Sequence, residues 1–334
     1  MSELDRAAEA ISGARTIALA CHHTPDGDAL GSMLALHHLA AEVGREVISS
    51  WPEPFVVAPH YAFIPGLDLA TKPVDYPAAP DLMITVDCGS MGRLGELSAP
   101  ARAARQLIVI DHHASNTGYG HINVIDPDAA ASAVVVRRLL AKLGWALNRD
   151  AAVCLYTGLV CDTGRFQYES TTPEVFALAG ELASFDLPIA SMSRQLFDQH
   201  RLAYLRLAGI ALQRAVLYPE RRMVATWVTA EEMALNQVDI EETEGLIDLV
   251  RSTVEADVSC VLKESPEGVR GSLRAVSDFD VSAVARLFGG GGHRAAAGFT
   301  SQLSIPEVLE AIRDAVPVVP PGHPQPAHHG HAEH

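Results

Sequence analysis

Three short apolar segments of this chain run directly into aspartate or histidine. They are residues 17–20 before His22, residues 82–86 before Asp87, and residues 107–110 before Asp111, His112 and His113. Charged groups that follow buried strands are costly unless they are paired, hydrogen-bonded or bound to a metal. In an open parallel sheet, binding sites form outside the carboxyl ends of the strands. The segments therefore predict a parallel sheet that brings these side chains together.

The first half of the chain alternates predicted strands and helices. Apolar residues recur at helical spacing in residues 4–11, 29–43, 131–143 and 151–160, and a further strand is predicted at residues 46–50. This order is typical of an α/β fold in which helices cover both faces of a parallel sheet. The proline-rich residues 51–80 are predicted to form a long loop.

The second half predicts a smaller α/β domain. Its predicted elements are strands at residues 223–228, 256–262 and 269–274, and helices at residues 241–250 and 281–288. The predicted boundaries are residues 1–190 for the first domain, 191–215 for a connector helix, 216–316 for the second domain and 317–334 for a tail. The tail is rich in proline and histidine and cannot bury apolar area, so we expect it to be disordered.

Composition limits the functions that the chain can serve. It has 334 residues, is 48% hydrophobic and carries a formal net charge of −16. Because lysine and arginine supply most of the affinity for long duplexes, such an acidic chain is a poor general binder of duplex nucleic acid. Its five cysteines include no Cys-x-x-Cys pair, which favours a reduced, cytoplasmic protein. We predict neither a signal peptide nor a membrane span.

The residues after the first strand fit either a metal site or the start of a helix. His22 and Asp26 are four residues apart, Asp28 follows, and Gly27 would let the backbone turn tightly between the two aspartates. The competing interpretation is that Asp28 caps the helix that begins at residue 29. Because the other two strand ends carry the same residue types, the metal interpretation is favoured.

A fourth element, Asp162 with Gly164 two residues later, follows an apolar helical segment. Negative charge is disfavoured at a helix C-terminus, so we expect a cation near Asp162. Oxygen ligands with imidazoles and no thiolate favour Mn²⁺ or Mg²⁺ over structural zinc. Two such ions about 3.5–4 Å apart can activate water and stabilise an in-line displacement at phosphorus. Arg165 and His121 are further candidates for substrate contacts.

The order of these motifs resembles the DHH phosphoesterase superfamily. The series is His-x-x-x-Asp-x-Asp, then Asp, then Asp-His-His, then Asp-x-Gly. The later Gly-Gly-Gly-Gly-His run at residues 289–293, followed by Ala-Ala-Ala-Gly at residues 295–298, is similar to the DHHA1 partner domain. The resemblance covers nearly the whole chain except the tail. Within the superfamily, the chain is most similar to the compact two-domain group of nanoRNases and pAp phosphatases.

The resemblance implies two manganese ions, for which Mg²⁺ or Co²⁺ could substitute. The implied ligands of the first ion are His22, Asp26 and Asp87, and those of the second are Asp28, Asp87, His112 and Asp162. Asp87 would therefore bridge the two ions. The implied catalytic residues are Asp111, which would orient a histidine, and His113, which would sit at the scissile phosphate.

The second domain is implied to bind the phosphate and nucleotide of the substrate. The implied substrate-binding residues are Arg274, Gly290, Gly291, Gly292 and His293. The glycine run would offer backbone N–H groups to an anion. Many relatives have Arg-Ser where this chain has Arg274-Ala275, so Arg274 is kept but the adjacent serine contact is absent.

The implied activity is manganese-dependent hydrolysis of short oligoribonucleotides. Candidate substrates are dinucleotides such as pApA and pGpG, the 3′-phosphate of pAp, and cyclic dinucleotides. The alternatives are a RecJ-type single-strand exonuclease and a non-catalytic nucleotide- or metal-binding regulator. An aromatic content of 6% and the strong acidity argue against an exonuclease, which uses basic grooves with aromatic platforms. The resemblance further implies a homodimer. The acidity argues against a long duplex as partner, and the lack of a long apolar segment argues against a membrane.

Overall fold

The computed structural model describes residues 1–319, which form two compact units. The first unit comprises residues 1–199, and the second begins at residue 200. Among the residues described, none of the helices has the length and hydrophobicity needed to span a bilayer.

The first unit is built on a five-stranded sheet in which all neighbouring strands are parallel. Its strands are β1 (Thr16–Ala20), β2 (Glu46–Ser50), β3 (Leu82–Val86), β4 (Gln106–Asp111) and β5 (Ile122–Ile125). The order across the sheet is β2-β1-β3-β4-β5. The parallel sheet and the first four strands agree with the prediction. Strand β5 was missed because it has only four residues and Asn123 lies within it.

Seven helices accompany this sheet. They are α1 (Glu3–Gly13), α2 (Gly27–Glu42), α3 (Ser98–Ala103), α4 (Ser132–Leu143), α5 (Arg149–Asp162), α6 (Pro173–Ala183) and α7 (Ile189–Ser193). Side chains of α1, α2, α4 and α5 form one core with Leu19, Ile84 and Ile110 of the strands. The other face, with Ala18 and Met83, packs against Leu97 and α3. Both faces of the sheet are therefore covered, as the βα order predicts.

The proline-rich segment at residues 51–80 is a loop, as predicted, with three short 3-10 turns. These are Pro59–Tyr61, Leu67–Leu69 and Pro73–Asp75. A further 3-10 segment, Met91–Leu97, follows β3. The loop is anchored to the core through Trp51 and Ile64, which are both buried.

The prediction of one continuous connector helix over residues 191–215 is wrong. Helix α7 continues into a π-helical turn at Arg194–Asp198, but Gln199 is extended. A new helix, α8 (Leu202–Gln213), begins three residues later.

The two sides of this break are held by different partners. In the first unit, Arg165 Nη1 lies 3.2 Å from Asp198 Oδ1. In the second unit, Arg201 Nη1 lies 2.8 Å from Glu242 Oε1. Both flanking segments have helical spacing of apolar residues, so the local sequence pattern could not reveal the interruption.

The second unit contains a six-stranded mixed sheet in the order β10-β11-β9-β8-β7-β6. Its strands are β6 (Val216–Tyr218), β7 (Met223–Val228), β8 (Val258–Ser265), β9 (Gly268–Ala275), β10 (Gly291–His293) and β11 (Ala296–Ser301). Besides α8, its helices are α9 (Ala230–Asn236), α10 (Leu246–Val250), α11 (Val281–Arg286) and α12 (Ile305–Ala315). Short 3-10 turns lie at Pro219–Arg221 and Ile240–Thr243.

The two faces of this second sheet are covered to different extents. On one face, Cys260, Leu273 and Phe299 form a core with α11 and α12. On the other face, Val224 and Val261 of β7 and β8 pack against α8, α9 and α10. The β9, β10 and β11 part of that second face carries polar and small residues instead.

The predicted tail lies mostly outside the described residues, which end at residue 319. Within the described part, the backbone N–H of Val319 donates to the carbonyl of Glu220 at 2.8 Å.

Candidate metal centre

The strand order places the predicted site at the point where the first sheet changes direction. The chain runs from β1 outward to β2, then crosses back so that β3 lies on the other side of β1. In open α/β sheets, ligands bind at such a point, outside the carboxyl ends of the strands. His22 follows β1 and Asp87 follows β3, so the fold brings these two side chains to one place.

His22, Asp26 and Asp87 form the first potential ligand group, with one donor atom of each within 4.8 Å of the others. His22 Nε2 lies 3.5 Å from Asp87 Oδ2 and 3.8 Å from Asp26 Oδ2. The Nδ1 of His22 lies 2.8 Å from the carbonyl oxygen of His23. A proton on Nδ1 donated to that carbonyl leaves the Nε2 lone pair directed at the carboxylates.

Asp26 both caps helix α2 and reaches the ligand group. Its Oδ1 accepts the backbone N–H groups of Asp28 and Ala29 at 3.1 and 3.0 Å. The cap is therefore Asp26 and not Asp28, which corrects the competing interpretation of the sequence. Gly27 is the first residue of α2 and makes no tight turn. Its role is close packing, because a Cβ there would collide with Cys161 Sγ.

Asp28, Asp87 and His112 form a second potential ligand group, and all three side chains are buried. His112 Nε2 lies 3.6 Å from Asp87 Oδ1 and 4.0 Å from Asp28 Oδ2. Asp162 joins this group, since its Oδ2 lies 3.0 Å from the same nitrogen. His112 Nδ1 lies 3.1 Å from the carbonyl oxygen of Ala129, which orients Nε2 toward the carboxylates.

Asp87 connects the two groups through its two carboxylate oxygens. Oδ2 faces His22, and Oδ1 faces His112. The backbone of Asp87 has a φ of +52°, in the left-handed region that few residues other than glycine adopt. Its N–H donates to the carbonyl of Ile110 at 2.9 Å, so strand β4 stabilises this conformation. Such backbone strain is typical of functional positions.

The start of helix α4 holds the carboxylates of both groups, and the sequence analysis missed it. The N–H groups of Ser132 and Ala133 donate to Asp28 Oδ2 and Oδ1 at 2.6 and 3.0 Å. The Ser132 hydroxyl donates to Asp87 Oδ1 at 3.0 Å. Helix N-termini favour anions because their first N–H groups lack intrahelical partners. Nothing in the local sequence distinguishes Ser132 from an ordinary helix-start serine.

Asp111 is held so that it orients His113. Its Oδ1 accepts the backbone N–H of His112 at 2.9 Å and lies 2.8 Å from His113 Nδ1. Its Oδ2 accepts the side-chain amide of Asn116, which also donates to the carbonyl of Cys88 at 3.3 Å. With both oxygens engaged in this way, Asp111 fixes the ring of His113. Asn116 is a second residue that sequence reasoning missed.

The carboxylates of this cluster are too crowded for all of them to be ionised without a cation. Burial and the charges of Asp162 and Asp87 raise the pKa of Asp28 well above its usual range. Burial, with added charge from Asp26 and Asp87, raises the pKa of Asp162 to about 6. Burial would lower the pKa of His112, but its hydrogen bond to Asp162 and that residue's charge raise it. When no ion is bound, protonated His112 therefore supplies the positive charge expected beside Asp162.

These residues fit multivalent cations. Two imidazole nitrogens and several carboxylate oxygens converge, and a bound cation would lower the carboxylate pKa values that burial raises. The nearby thiols do not join the donor set: Cys21 packs in the hydrophobic core, and Cys88 Sγ lies 3.3 Å from the carbonyl oxygen of Ser90. The donor set of oxygens and imidazoles suits Mn²⁺ or Mg²⁺.

Two other predicted contacts have partners of their own within the first unit. His121 precedes β5 at the amino edge of the sheet, where its Nδ1 accepts the N–H of Leu107 at 2.8 Å. The candidate ligands follow the opposite ends of the strands, so His121 is not part of the candidate site. Arg165 pairs with Asp198, and its Cζ lies 4.2 Å from the centre of the Phe197 ring.

Arg93 is a cation near the candidate site that sequence reasoning did not identify. Its carbonyl accepts the N–H of His23 at 2.9 Å, and its guanidinium lies beside the His22 ring. The residue therefore holds the segment that carries His22. It lies in the 3-10 segment after β3, where no sequence motif marks it.

In the second unit, Arg274 and His293 lie in one cross-strand row. Arg274 of β9 is opposite Ala296 of β11, which is opposite His293 of β10. Directly opposite residues share a face of the sheet, so only the small Ala296 separates the two polar residues. The next row, Ser272, Gly298 and Gly291, has almost no side-chain volume. The row beyond these two contains Arg270 and Thr300. We call the three rows together the open face.

The glycine run leads into a strand and is closely packed at Gly290. Gly291 and Gly292 belong to β10, and the N–H of Gly290 donates to the carbonyl of Ala285 at 3.0 Å. The predicted anion nest is therefore wrong for Gly290, because its N–H is already used. A Cβ at Gly290 would collide with the backbone of β11, so glycine is needed for close packing.

The chain belongs to the DHH family. The N-terminal domain of the DHH family matches residues 16–159, and the DHHA1 domain matches residues 228–317. The protein is therefore a hydrolase of the phosphoesterase class, as the order of its motifs predicted. Asp162 lies just beyond the matched part of the first domain.

Individual proteins that are similar to this chain have more specific names. The chain is 31% identical over 302 residues to the bifunctional oligoribonuclease and PAP phosphatase NrnA of Thermus thermophilus. The aligned residues cover 90% of this chain and 89% of that relative. It is 28% identical to the protein of the same name from Bacillus subtilis, over 85% of this chain and 88% of that relative. A solved exopolyphosphatase-related protein of Bacteroides fragilis is 25% identical, with a TM-score of 0.84 over 94% of this chain and 95% of that one.

Proposed function

We propose that this protein is a manganese-dependent phosphoesterase that hydrolyses oligoribonucleotides of a few residues and the 3′-phosphate of pAp. The observation that carries the proposal is the pair of ligand groups that share Asp87 at the point where the sheet changes direction. The names of the relatives, which describe oligoribonuclease and PAP phosphatase activity, support this choice of substrates.

The residues of the two groups would hold two cations. His22, Asp26 and Asp87 would hold one, and Asp28, Asp87, His112 and Asp162 the other. Two bound divalent cations would supply Lewis-acid chemistry, which acidifies water and neutralises charge on phosphate oxygens. The Nδ1 atoms of His22 and His112 each contact a backbone carbonyl, so each Nε2 faces the carboxylates. The orientation of both rings is therefore set before any ion binds.

His113 is proposed to bind the scissile phosphate. Asp111 holds its Nδ1 at 2.8 Å, which fixes the ring and favours the imidazolium form. An imidazolium is a strong hydrogen-bond donor to a phosphate oxygen and stabilises negative charge that develops there. Asp111 acts through His113 and is therefore a positioning residue.

The second domain, proposed to span residues 216–316, is proposed to bind the rest of the substrate. Arg274 and His293 project from the same row of the open face and would bind phosphate. The neighbouring row of Ser272, Gly298 and Gly291 leaves a flat floor for a sugar or base. Arg270 lies further along the same face, and its Nη2 is 3.7 Å from Glu244 Oε1.

The experiment that tests the proposed function is a substrate panel with Mn²⁺. The panel contains pAp, pApA, pGpG, cyclic di-AMP and RNA of two, about five and about twenty nucleotides. We expect the highest specific activity on pAp and on RNA of two to about five nucleotides. An acidic surface adds little phosphate affinity beyond the site itself, so longer RNA should gain nothing. Faster, processive degradation of the twenty-nucleotide RNA would favour the exonuclease alternative.

We further propose a homodimer that works in the cytoplasm. The five cysteines are free and four of them are buried, which suits a reducing compartment. Light scattering at micromolar concentration tests the dimer, and a monomer mass would contradict it.

A further inference from the structure

Ser132 is the first residue of helix α4 and is fully buried beside the candidate metal centre. Its backbone N–H donates to Asp28 Oδ2 at 2.6 Å, and its hydroxyl donates to Asp87 Oδ1 at 3.0 Å. Ser132 thus contacts Asp28, which belongs to one ligand group, and Asp87, which belongs to both.

The carboxylate of Asp87 needs such a contact, because rotation about the terminal bond of an aspartate side chain is broad and weakly restrained. Its two oxygens serve different partners: Oδ2 lies 3.5 Å from His22 Nε2, and Oδ1 lies 3.6 Å from His112 Nε2. If the carboxylate rotates, both distances change together. A hydroxyl fixed to the start of a helix occupies one lone pair of Oδ1 and sets this rotation.

We propose that Ser132 is a positioning residue for the metal centre, whose hydroxyl fixes the Asp87 carboxylate so that its two oxygens face two cations at once. This inference rests on the proposed function, because it takes Asp87 as a ligand of both ions. Partners of this kind, which touch a ligand and not the metal, typically change metal affinity or activity by about 10- to 100-fold.

The substitution Ser132→Ala isolates this contact. It removes the hydroxyl but keeps the backbone N–H that binds Asp28. We expect Mn²⁺ affinity, measured by titration calorimetry, to fall about 10- to 100-fold and kcat to fall by a similar factor at subsaturating Mn²⁺. KM for pAp should stay near the wild-type value, because the hydroxyl contacts a ligand and not the substrate. The thermal midpoint without added metal should stay close to that of the wild type.

Ser32→Ala is the matched comparison. Ser32 is equally buried, and its hydroxyl donates to Asp28 Oδ1 at 3.1 Å. Asp28 keeps two backbone donors at the start of α4, so we expect a smaller loss of Mn²⁺ affinity than for Ser132→Ala. Ser132→Thr retains a hydroxyl and should restore much of the affinity lost in Ser132→Ala.

Two results would overturn the inference. One is a Ser132→Ala protein with wild-type Mn²⁺ affinity and kcat. The other is an equal loss of affinity in Ser132→Ala and Ser32→Ala, accompanied by equal loss of thermal stability without metal, which would indicate a purely structural role. Failure of the proposed function is distinguishable, because wild-type protein would then hydrolyse none of the panel while the Mn²⁺ titrations still report on Ser132.

Discussion

The candidate metal centre of the first unit and the open face of the second are both polar, but they handle charge in opposite ways. In the first unit, buried Asp28 and Asp87 lie against each other and against histidines. In the second unit, the buried Lys263 lies opposite Arg270 of the open face, and its counter-ion is Glu244, whose Oε1 lies 2.9 Å from its Nζ. The first site therefore concentrates negative charge, which added cations would offset, whereas the second concentrates positive charge around the single carboxylate of Glu244.

We therefore expect the two units to have different tasks. A crowded set of buried carboxylates gains stability when divalent cations bind and can use them for chemistry. We expect a sheet face with arginines and small residues to bind phosphate. Substitutions in the first unit should therefore change turnover, and substitutions in the second should change substrate affinity.

Asp87→Ala is expected to have the largest effect. Because Asp87 contributes to both ligand groups, its loss should lower kcat by more than about a hundredfold on every substrate. The thermal midpoint without metal should fall only modestly, although Ser132 loses its acceptor, and stabilisation by Mn²⁺ should disappear. Asp81→Ala, an exposed position just before β3, is the control and should keep wild-type turnover. Retention of more than about a tenth of kcat in Asp87→Ala would contradict the shared-ligand role.

His113→Ala should be the next most damaging change, and it separates phosphate binding from metal binding. We expect kcat to fall about 10²–10³-fold while elemental analysis finds wild-type manganese content. His121→Ala is a matched histidine control at the opposite edge of the sheet and should retain activity. Loss of one manganese equivalent in His113→Ala would place this histidine among the metal ligands.

Arg274→Ala tests the second unit. Loss of a charge-assisted hydrogen bond costs about 1.5–3 kcal/mol, so KM for pAp or pApA should rise about tenfold or more with a smaller change in kcat. Arg313→Ala, on helix α12 at the covered face of the same sheet, is the control. An unchanged KM in Arg274→Ala, measured by steady-state kinetics, would refute its role in binding phosphate.

The smallest expected effect concerns the Lys263–Glu244 pair. Burial alone would raise the pKa of Glu244, but Lys263 and the nearby arginines lower it below its ordinary value of 4.5. A lowered carboxyl pKa stabilises the fold above the unfolded value, and this contribution is lost as pH falls through the folded pKa. Glu244 is half exposed, so the contribution should be about 1 kcal/mol or less.

Urea unfolding at pH 7 and below pH 4.5 measures this contribution. Glu244→Gln should destabilise the protein at pH 7 and make little difference at the lower pH. Glu255→Gln, at an exposed position of the same unit, serves as the control. Equal destabilisation by Glu244→Gln at both values of pH would show that the charge of Glu244 does not matter.

Much of the fold and of the ligand set could be predicted from the sequence. Strands β1 to β4 and helices α2, α4 and α5 follow from the period of apolar residues, which is a local property. The candidate ligands were recognised because aspartate and histidine directly follow apolar strands, where such residues need partners. Their grouping around Asp87 agrees with this expectation, because parallel strands end at one edge.

The remaining features depend on which strands become neighbours, and the sequence alone could not supply that. Strand order puts β1 beside β3, directs His121 to the opposite edge, and aligns Arg274 with His293 through Ala296. The contact of Ser132 with Asp87 joins residues 45 positions apart. The spacing of apolar residues and the types of the candidate ligands are local properties, and the sequence determined them. The tertiary structure decided which of these residues meet, because contacts between distant segments depend on the packing of the whole unit.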